Sequence, residues 1–279
     1  MNTLNERFPR KALPKEEALF LLLELNDALF PIGAYAHSYG LETYVQAGVV
    51  HDRKTAEQWL HGYFFGSFMY SELLAVRLAY EAYGSDDAVD ADAIVVKLLD
   101  LEQELVAAKA PREPREALQK LGRRLAKNVD RIGLPLTSVF RDYMEQAAKN
   151  CTHPVCYGAL AADLGLPERE SLLHYAYAQL SALTNTCVKL IPLSQTDGAT
   201  IVADFRQTYS ALIDRVMNVS PDDWAVHRRV STFALWNTKH CTRGSTCRNF
   251  TGNSDSLVHL VDSYIVVPSK KEGYLYVLC

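Results

Sequence analysis

The sequence predicts an all-α fold, a single globular domain of roughly nine or ten helices around a buried central helix. Three observations lead there. Apolar residues recur at three- and four-residue spacing from about residue 17 to 219. No alternating strand pattern appears before residue 225. Of the 279 residues, 48 % are hydrophobic, which is enough to fill one large core.

Taken in order, residues 1 to 16 read as a polar leader without the apolar stretch of a signal peptide. Residues 16 to 27 form a first helix, with Glu16 and Glu17 at its start and Leu19, Leu22 and Leu23 as its apolar side; it must end before Pro31. A loop follows, FPIGAYAHSYGLE at 30 to 42. A short helix from Leu41 to Ala47 then closes at Gly48. Residues 54 to 82 make one long helix whose wide apolar face holds Trp59, Tyr63, Phe64, Phe68, Leu74 and Leu78. Ile94, Leu98, Leu101 and Leu105 mark a helix over 90 to 108. Pro111 and Pro114 precede another from about 115 to 130, and Leu134-Pro135 introduces one reaching about 149.

Thr152-His153-Pro154 is a helix start, with Pro placed where its missing N–H costs nothing, and Gly165 ends that helix. Residues 168 to 190 begin with acids and then become apolar or small nearly all round, the pattern of a buried central helix. Pro192 breaks it, and a last amphipathic helix runs from about 197 to 218. The expected organisation is therefore a leader (1–16), a helical domain (17–222) and an atypical tail (223–279). The tail is basic, with seven Lys and Arg against three Asp and Glu after Trp224, in a chain of net charge −4. Its SYIVVPSKKEGYLYVL stretch suits two short strands, but with nothing evident to pair against, a poorly ordered tail is expected.

Composition excludes several classes of function. A pI near 6.1 gives no phosphate-neutralising surface, so nucleic acid is not an expected partner. No apolar run is long enough for a membrane span. Six Cys, at 151, 156, 187, 241, 247 and 279, are too sparse for a disulfide scaffold and read as reduced thiols in the cytoplasm. There is no Gly-x4-Gly-Lys-[Ser/Thr] phosphate loop.

The candidate sites each have a plain structural reading beside a chemical one. His37 and Ser38 pair a base with a nucleophile, yet adjacent loop residues rarely face each other, and no strand-turn-helix elbow surrounds the Ser. As structure, Gly33 and Gly40 permit turns closed to other residues, Ser38 caps the helix beginning at Tyr39 to Leu41, and Glu42 meets its dipole. Phe30, Tyr35 and Tyr39 have apolar bodies to anchor the loop. Cys151, His153 and Cys156 offer three soft ligands in six residues, though not at Cys-x2-Cys spacing. Asp197 or Thr196 suits an N-cap after Gln195. Lys189, near the end of an apolar helix, needs water or a partner for its charge. Arg123 and Arg124 read as a solvated face.

Four of these stretches, in register, resemble the urease accessory protein UreF family. They are the 30–42 loop with Gly48 after it, PREPREALQKLGRRL (111–125), HPVCYGALAADLGL (153–166) and VKLIPLSQTDG (188–198). The likeness covers about residues 17 to 219. It implies an all-helical, dimeric, non-enzymatic chaperone that bridges a UreD/UreH-type partner and the GTPase UreG while nickel is loaded into apo-urease. It implies no permanently bound cofactor, with nickel only in transit. By the same resemblance Pro31, Gly33, His37, Ser38, Gly40, Leu41, Glu42, Arg123, Arg124, Lys189, Gln195, Asp197 and Gly198 shape or line partner surfaces. The family's short C-terminal segment of Arg/His-x3-Leu-[Tyr/Phe]-Ser-Arg-Leu character has no counterpart after about residue 224, which predicts impaired partner binding. Two other classes remain on the residues alone: a cytosolic metal-binding protein using His37, Cys151, His153 and Cys156, and a hydrolase using His37 and Ser38.

Overall fold

A computed structural model describes residues 13–33, 38–84, 90–109 and 112–221, together with the strand backbone at 264–268 and 274–278. The helices among them are α1 (Lys15–Asn26), α2 (Leu41–Gln46), α3 (Arg53–Tyr63), α4 (Leu74–Glu81), α5 (Ala91–Ala108), α6 (Arg112–Arg131), α7 (Ser138–Ala147), α8 (His153–Asp163), α9 (Glu168–Leu190) and α10 (Gln195–Asn218). The all-α class is what the structure shows.

The molecule is organised around α8. All eleven of its residues are buried, and it packs against α4 on one side and α6 on another. Its sequence explains the fit, because Gly158, Ala159, Ala161 and Ala162 let neighbouring backbones come close. A Cβ built on Gly158 would stand 2.2 Å from the Val76 carbonyl oxygen of α4. A Cβ on Gly122 of α6 would stand 2.5 Å from the Cys151 carbonyl oxygen just before α8. Both approaches are backbone against backbone, so neither neighbour can swing aside.

The central helix is thus not the 168–190 segment. In α9 the buried residues (Ser171, Leu172, Tyr175, Ala176, Gln179, Leu180, Leu183, Thr184, Cys187) form one stripe, and Tyr177 on the other side is 52 % exposed. Small residues on both faces of a long helix gave the all-round apolar pattern. In the fold, that helix is covered by α1 and α10 and keeps a solvent edge.

Both ends of α8 are tied by buried carboxylates. At its N-terminus the Thr152 N–H donates to both oxygens of Glu102 on α5, at 2.8 and 3.0 Å, and the Tyr143 hydroxyl donates to the same carboxylate at 2.6 Å. At its C-terminus Asp163 accepts from the Thr137 N–H at 3.0 Å and from the Thr137 hydroxyl, fixing the start of α7. A third buried charge, Arg77 of α4, donates to the Val216 carbonyl in the last turn of α10, where carbonyls lack helical partners.

Two local features depart from the periodic reading. The 54–82 segment is one rod, but Phe64–Leu73 is wound as a π-helix between α3 and α4. Wider winding brings residues four and five apart onto one face, and it buries Phe64, Phe68, Met69 and Leu73 together. Helix α6 begins at Arg112 and carries Pro114 in its first turn, where no N–H is needed. At the far end of the chain, Tyr264–Pro268 and Tyr274–Leu278 pair as an antiparallel ladder, Tyr264 opposite Leu278. The remainder of 222–279 lies outside the described residues, as does residues 1–12 of the expected leader, so the expectation of a poorly ordered tail falls there too.

Replacing Gly158 by Ala should force α4 and α8 apart and cost about 1–3 kcal/mol, as over-packing does. Thermal unfolding followed by circular dichroism should show a fall in Tm of roughly 2–12 °C, with helix content retained. An unchanged Tm would mean the α4–α8 approach is looser than described.

Candidate docking surface

The loop between α1 and α2 is built from the backbone upward. The Asp27 carboxylate accepts the Leu29 N–H at 2.7 Å, and the Asp27 and Phe30 carbonyls accept the Phe30 and Ile32 N–H groups at 3.0 and 2.7 Å. Phe30 and Ile32 are buried and seat the loop on the core, while Pro31 is exposed. The carbonyls facing outward are held from α6. Arg124 donates to the Ile32 oxygen at 2.9 Å, and Asn128, one turn along, donates to the Pro31 oxygen at 3.1 Å. Gly33 follows with φ +79°, and a Cβ there would stand 2.7 Å from the Arg124 Nη1. Only glycine meets both demands at once.

Past residues 34–37, the loop turns through two left-handed residues, Tyr39 (φ 49°) and Gly40 (φ 90°). For Tyr39 this conformation is strained by roughly 1–2 kcal/mol. Its half-buried ring packs 5.6 Å from that of Tyr63, which in turn stacks on Trp59. Ser38 does not cap α2, contrary to the sequence reading. Gly40 occupies the N-cap position with no side-chain cap, and the Ser38 hydroxyl donates to the Glu42 carboxylate. Through the double left-handed turn, it is the Ser38 carbonyl and not its hydroxyl that accepts the Leu41 N–H, at 3.0 Å. Leu41 is fully buried beneath this turn. His37 lies outside the described residues, so its two chemical readings, with Ser38 and with Cys151, do too.

Arg123 and Arg124 are exposed, yet they are more than a solvated face. Arg124 pins the loop, and Arg123 donates to the Lys149 carbonyl at 2.7 Å, in the short 3-10 turn Ala148–Asn150 that leads into α8. Lys189 is exposed, so its charge is solvated on the outer edge of α9. The 188–198 stretch closes on itself. Ser194, not Asp197 or Thr196, is the N-cap of α10. The Ser194 hydroxyl accepts the Asp197 N–H at 3.0 Å while Asp197 accepts the Ser194 N–H at 2.9 Å. The Ser194 hydroxyl, which also donates to the Asp197 carboxylate at 2.7 Å, together with the Ser194 N–H and with Arg53 at the start of α3, holds that carboxyl below its usual range. Gln195 is exposed at the first position, and Gly198 is buried 2.8 Å (from a built Cβ) from Val188 of α9. Arg124 therefore meets the loop at Ile32 and Gly33 while Asn128 holds Pro31, whereas Lys189 to Gly198 form a separate helix–helix corner.

The soft-ligand candidates are core residues. Cys151, His153 and Cys156 are 2, 4 and 0 % exposed. The Tyr175 hydroxyl lies 3.4 Å from His153 Nδ1, and the Tyr143 hydroxyl lies 3.9 Å from Cys151 Sγ. Among the described residues no three His, Cys, Asp or Glu side chains converge as an ion would require. Sequence reasoning missed Glu102 and Asn128. Glu102 had a signal: with Ile94, Leu98 and Leu105 it completes the buried stripe of α5, a charge where an apolar residue belongs.

The arrangement is a helical scaffold in which Arg123 and Arg124 hold backbone carbonyls of a turn and a loop, and Glu102 and Asp163 hold neighbouring helix starts. Its family is plain from comparison. The UreF family model matches residues 50–206. The urease accessory protein UreF of Arthrobacter sp. (strain FB24) is 31 % identical over 204 residues, covering 73 % of this chain and 85 % of that relative. The protein of the same name from Actinobacillus pleuropneumoniae serotype 5b (strain L20) is 34 % identical over 205 residues, covering 73 and 86 %. The chain belongs to the UreF family, whose members are urease accessory proteins and not themselves enzymes.

The α8 entrance gives a pH prediction. Burial pushes the Glu102 carboxyl up to about 7, against the Tyr143 and Thr152 hydrogen bonds that favour its anion. The folded protein holds that proton more tightly than the unfolded chain, so this group's contribution to stability declines as pH rises from the ordinary carboxyl value through about 7. Its full span is on the order of 3 kcal/mol. Burial pushes His153 down to about 4, so its effect runs the other way: stability is lost as pH falls from 6.5 through about 4. The two slopes oppose each other over the acid range. In Glu102→Gln, which keeps an acceptor, the urea midpoint should rise with pH between 4.5 and 6.5 more steeply than in the parent, then stay level to pH 7.5. Parallel profiles for the two proteins would refute the assignment.

Proposed function

We propose that the chain is a scaffold of urease maturation that bridges a UreD/UreH-type accessory protein and the GTPase UreG while nickel is inserted into apo-urease. It does so as a cytoplasmic homodimer, contributing assembly and a protected route for the ion, with no bond-making step of its own. The observation that carries this reading is the loop held from α6 by Arg124 and Asn128, with Leu29 standing 91 % exposed beside it and Leu19, Phe20 and Leu23 exposed on α1. A loop fixed before contact loses little conformational entropy on association, so its apolar residues can contribute nearly their whole burial energy. Pro31, Gly33, Ser38, Gly40, Leu41 and Glu42 supply the shape, and Leu29 and the α1 residues supply the area. The 188–198 corner offers Lys189 and Gln195 as a second exposed polar edge. The unfamiliar sequence after residue 224 makes the UreD/UreH contact the weaker of the two arms.

The test is capture of the purified UreD/UreH-type protein and UreG by the full chain, measured by biolayer interferometry. Leu29→Asp should weaken capture of at least one partner by about tenfold or more, as expected for loss of an apolar anchor, with Tm unchanged. Arg124→Ala should weaken it comparably by releasing the loop. Failure of the parent chain, with or without a restored family-type C-terminal segment, to capture either partner would overturn the reading.

A further inference from the structure

The outward side of α6 carries more than the loop contacts. Lys120, Arg123, Lys127 and Arg131 are exposed and follow one another at three- and four-residue spacing, a single stripe about 16 Å long. Lys149 stands across a shallow groove from Lys120 and Arg123, between α6 and the 3-10 turn. The nearby acids are mostly occupied. Glu116 is taken by Arg112 at 2.6 Å and Asp130 by Arg141 at 2.9 Å, leaving Glu145 of α7, which lines a second, separate depression with Lys127. Among the described residues Lys127, Arg131 and Lys149 have no ion pair, and Arg123 spends a single donor on the Lys149 carbonyl. The chain as a whole carries −4, so this stripe is a positive field set against an acidic background.

We propose that the α6 stripe docks an acidic face of a protein partner, a row of carboxylates of about one helix length, and steers that partner onto the pinned loop. The inference rests on the scaffold reading and deepens it. Position supports it, because Arg124 and Asn128 come from the same helix, so stripe and loop form one continuous surface. Charge supports a protein over a polyanion. Four or five cations over one helix, interleaved with Glu116, Asp130 and Glu145 on a net acidic chain, match a limited set of carboxylates. They are too few and too mixed to track a nucleic-acid backbone. Complementary charge of this kind acts chiefly on the association rate and weakens with salt.

The experiment uses the full chain and a variant with Lys120→Gln, Lys127→Gln, Arg131→Gln and Lys149→Gln, all exposed positions, with matched Tm required of both. Association with purified UreG and with the UreD/UreH-type protein is followed from about 50 to 300 mM salt. For one partner the parent's association rate should fall steeply with salt. The variant should associate about tenfold more slowly at the lowest salt, with most of that dependence gone and dissociation little changed. Equal rates and equal salt slopes for parent and variant would overturn the inference while leaving the scaffold reading intact. No capture by the parent would overturn the scaffold reading and the inference with it. Phosphatidylserine vesicles and duplex DNA serve as comparison probes. Binding of either by the parent, lost in the variant while partner kinetics stay the same, would also overturn the proposal.

Discussion

Everything in this fold depends on one packing constraint, the burial of α8 on all sides. A helix with no solvent face must meet its neighbours at the distance their backbones allow. Gly158 and Gly122 set that distance against α4 and the residues entering α8. Such a helix must also satisfy its own ends without water, since an orphaned buried N–H or carbonyl costs as much as a lost hydrogen bond or more. Glu102 does this at the entrance and ties α5 to the centre. At the exit the Leu164, Gly165 and Leu166 N–H groups return to the Leu160, Ala162 and Ala161 carbonyls, while the Asp163 carboxylate takes the Thr137 N–H at the start of α7 and ties that helix in. A buried carboxylate at a helix entrance is costly to desolvate, which is why its proton is held to about pH 7. Its hydrogen bonds and the adjacent helix dipole offset part of that cost.

The constraint reaches the surface through three consecutive residues of α6. Gly122 faces inward and touches the backbone before α8; Arg123 holds the turn leading into it; Arg124 holds the loop between α1 and α2. A shift of α6 against α8 would therefore move both the loop and the Lys149 side of the basic groove. Neither guanidinium is paired with a carboxylate in these contacts. Each donates to a backbone carbonyl, so the loop is fixed by its shape, and a change in its outward side chains would leave the anchoring in place.

The helices were legible because their apolar spacing is set by burial of one face, and that signal survives in any amphipathic segment. What the spacing does not encode is which helix ends up inside. Segment 168–190 reads as more apolar than it is buried, because length and small residues mimic an interior position. Helix α8 is short, and its HPVCYG start reads as capping and ligand chemistry before it reads as a core. The π winding at 64–73 depends on how aromatic residues pack against other elements, which no local pattern records. The loop was legible as a shape, through Gly33 and Gly40, but not as a set of bonds. That Arg124 and Asn128 reach back across more than ninety residues to two carbonyls is a tertiary fact. Ser38 shows the limit most clearly, since a capping candidate left two residues short of the N-cap is decided by the φ of Tyr39, a residue that ordinarily avoids that region.

This division separates what family resemblance can transfer from what it cannot. Gly33, Gly122, Gly158 and Gly198 fall in the four stretches that carry the likeness, and each meets a close neighbour that a larger residue would displace. Arg123 and Arg124 bind main-chain atoms, and Ser194 with Asp197 closes a helix start. Residues of this kind answer to the chain's own backbone. Leu29, Lys127, Arg131 and Lys149, by contrast, are exposed and make no side-chain ion pair among the described residues. Under the proposed scaffold reading, the motifs supply the rigidity, and side chains not committed to the chain's own backbone are the ones left to meet a partner.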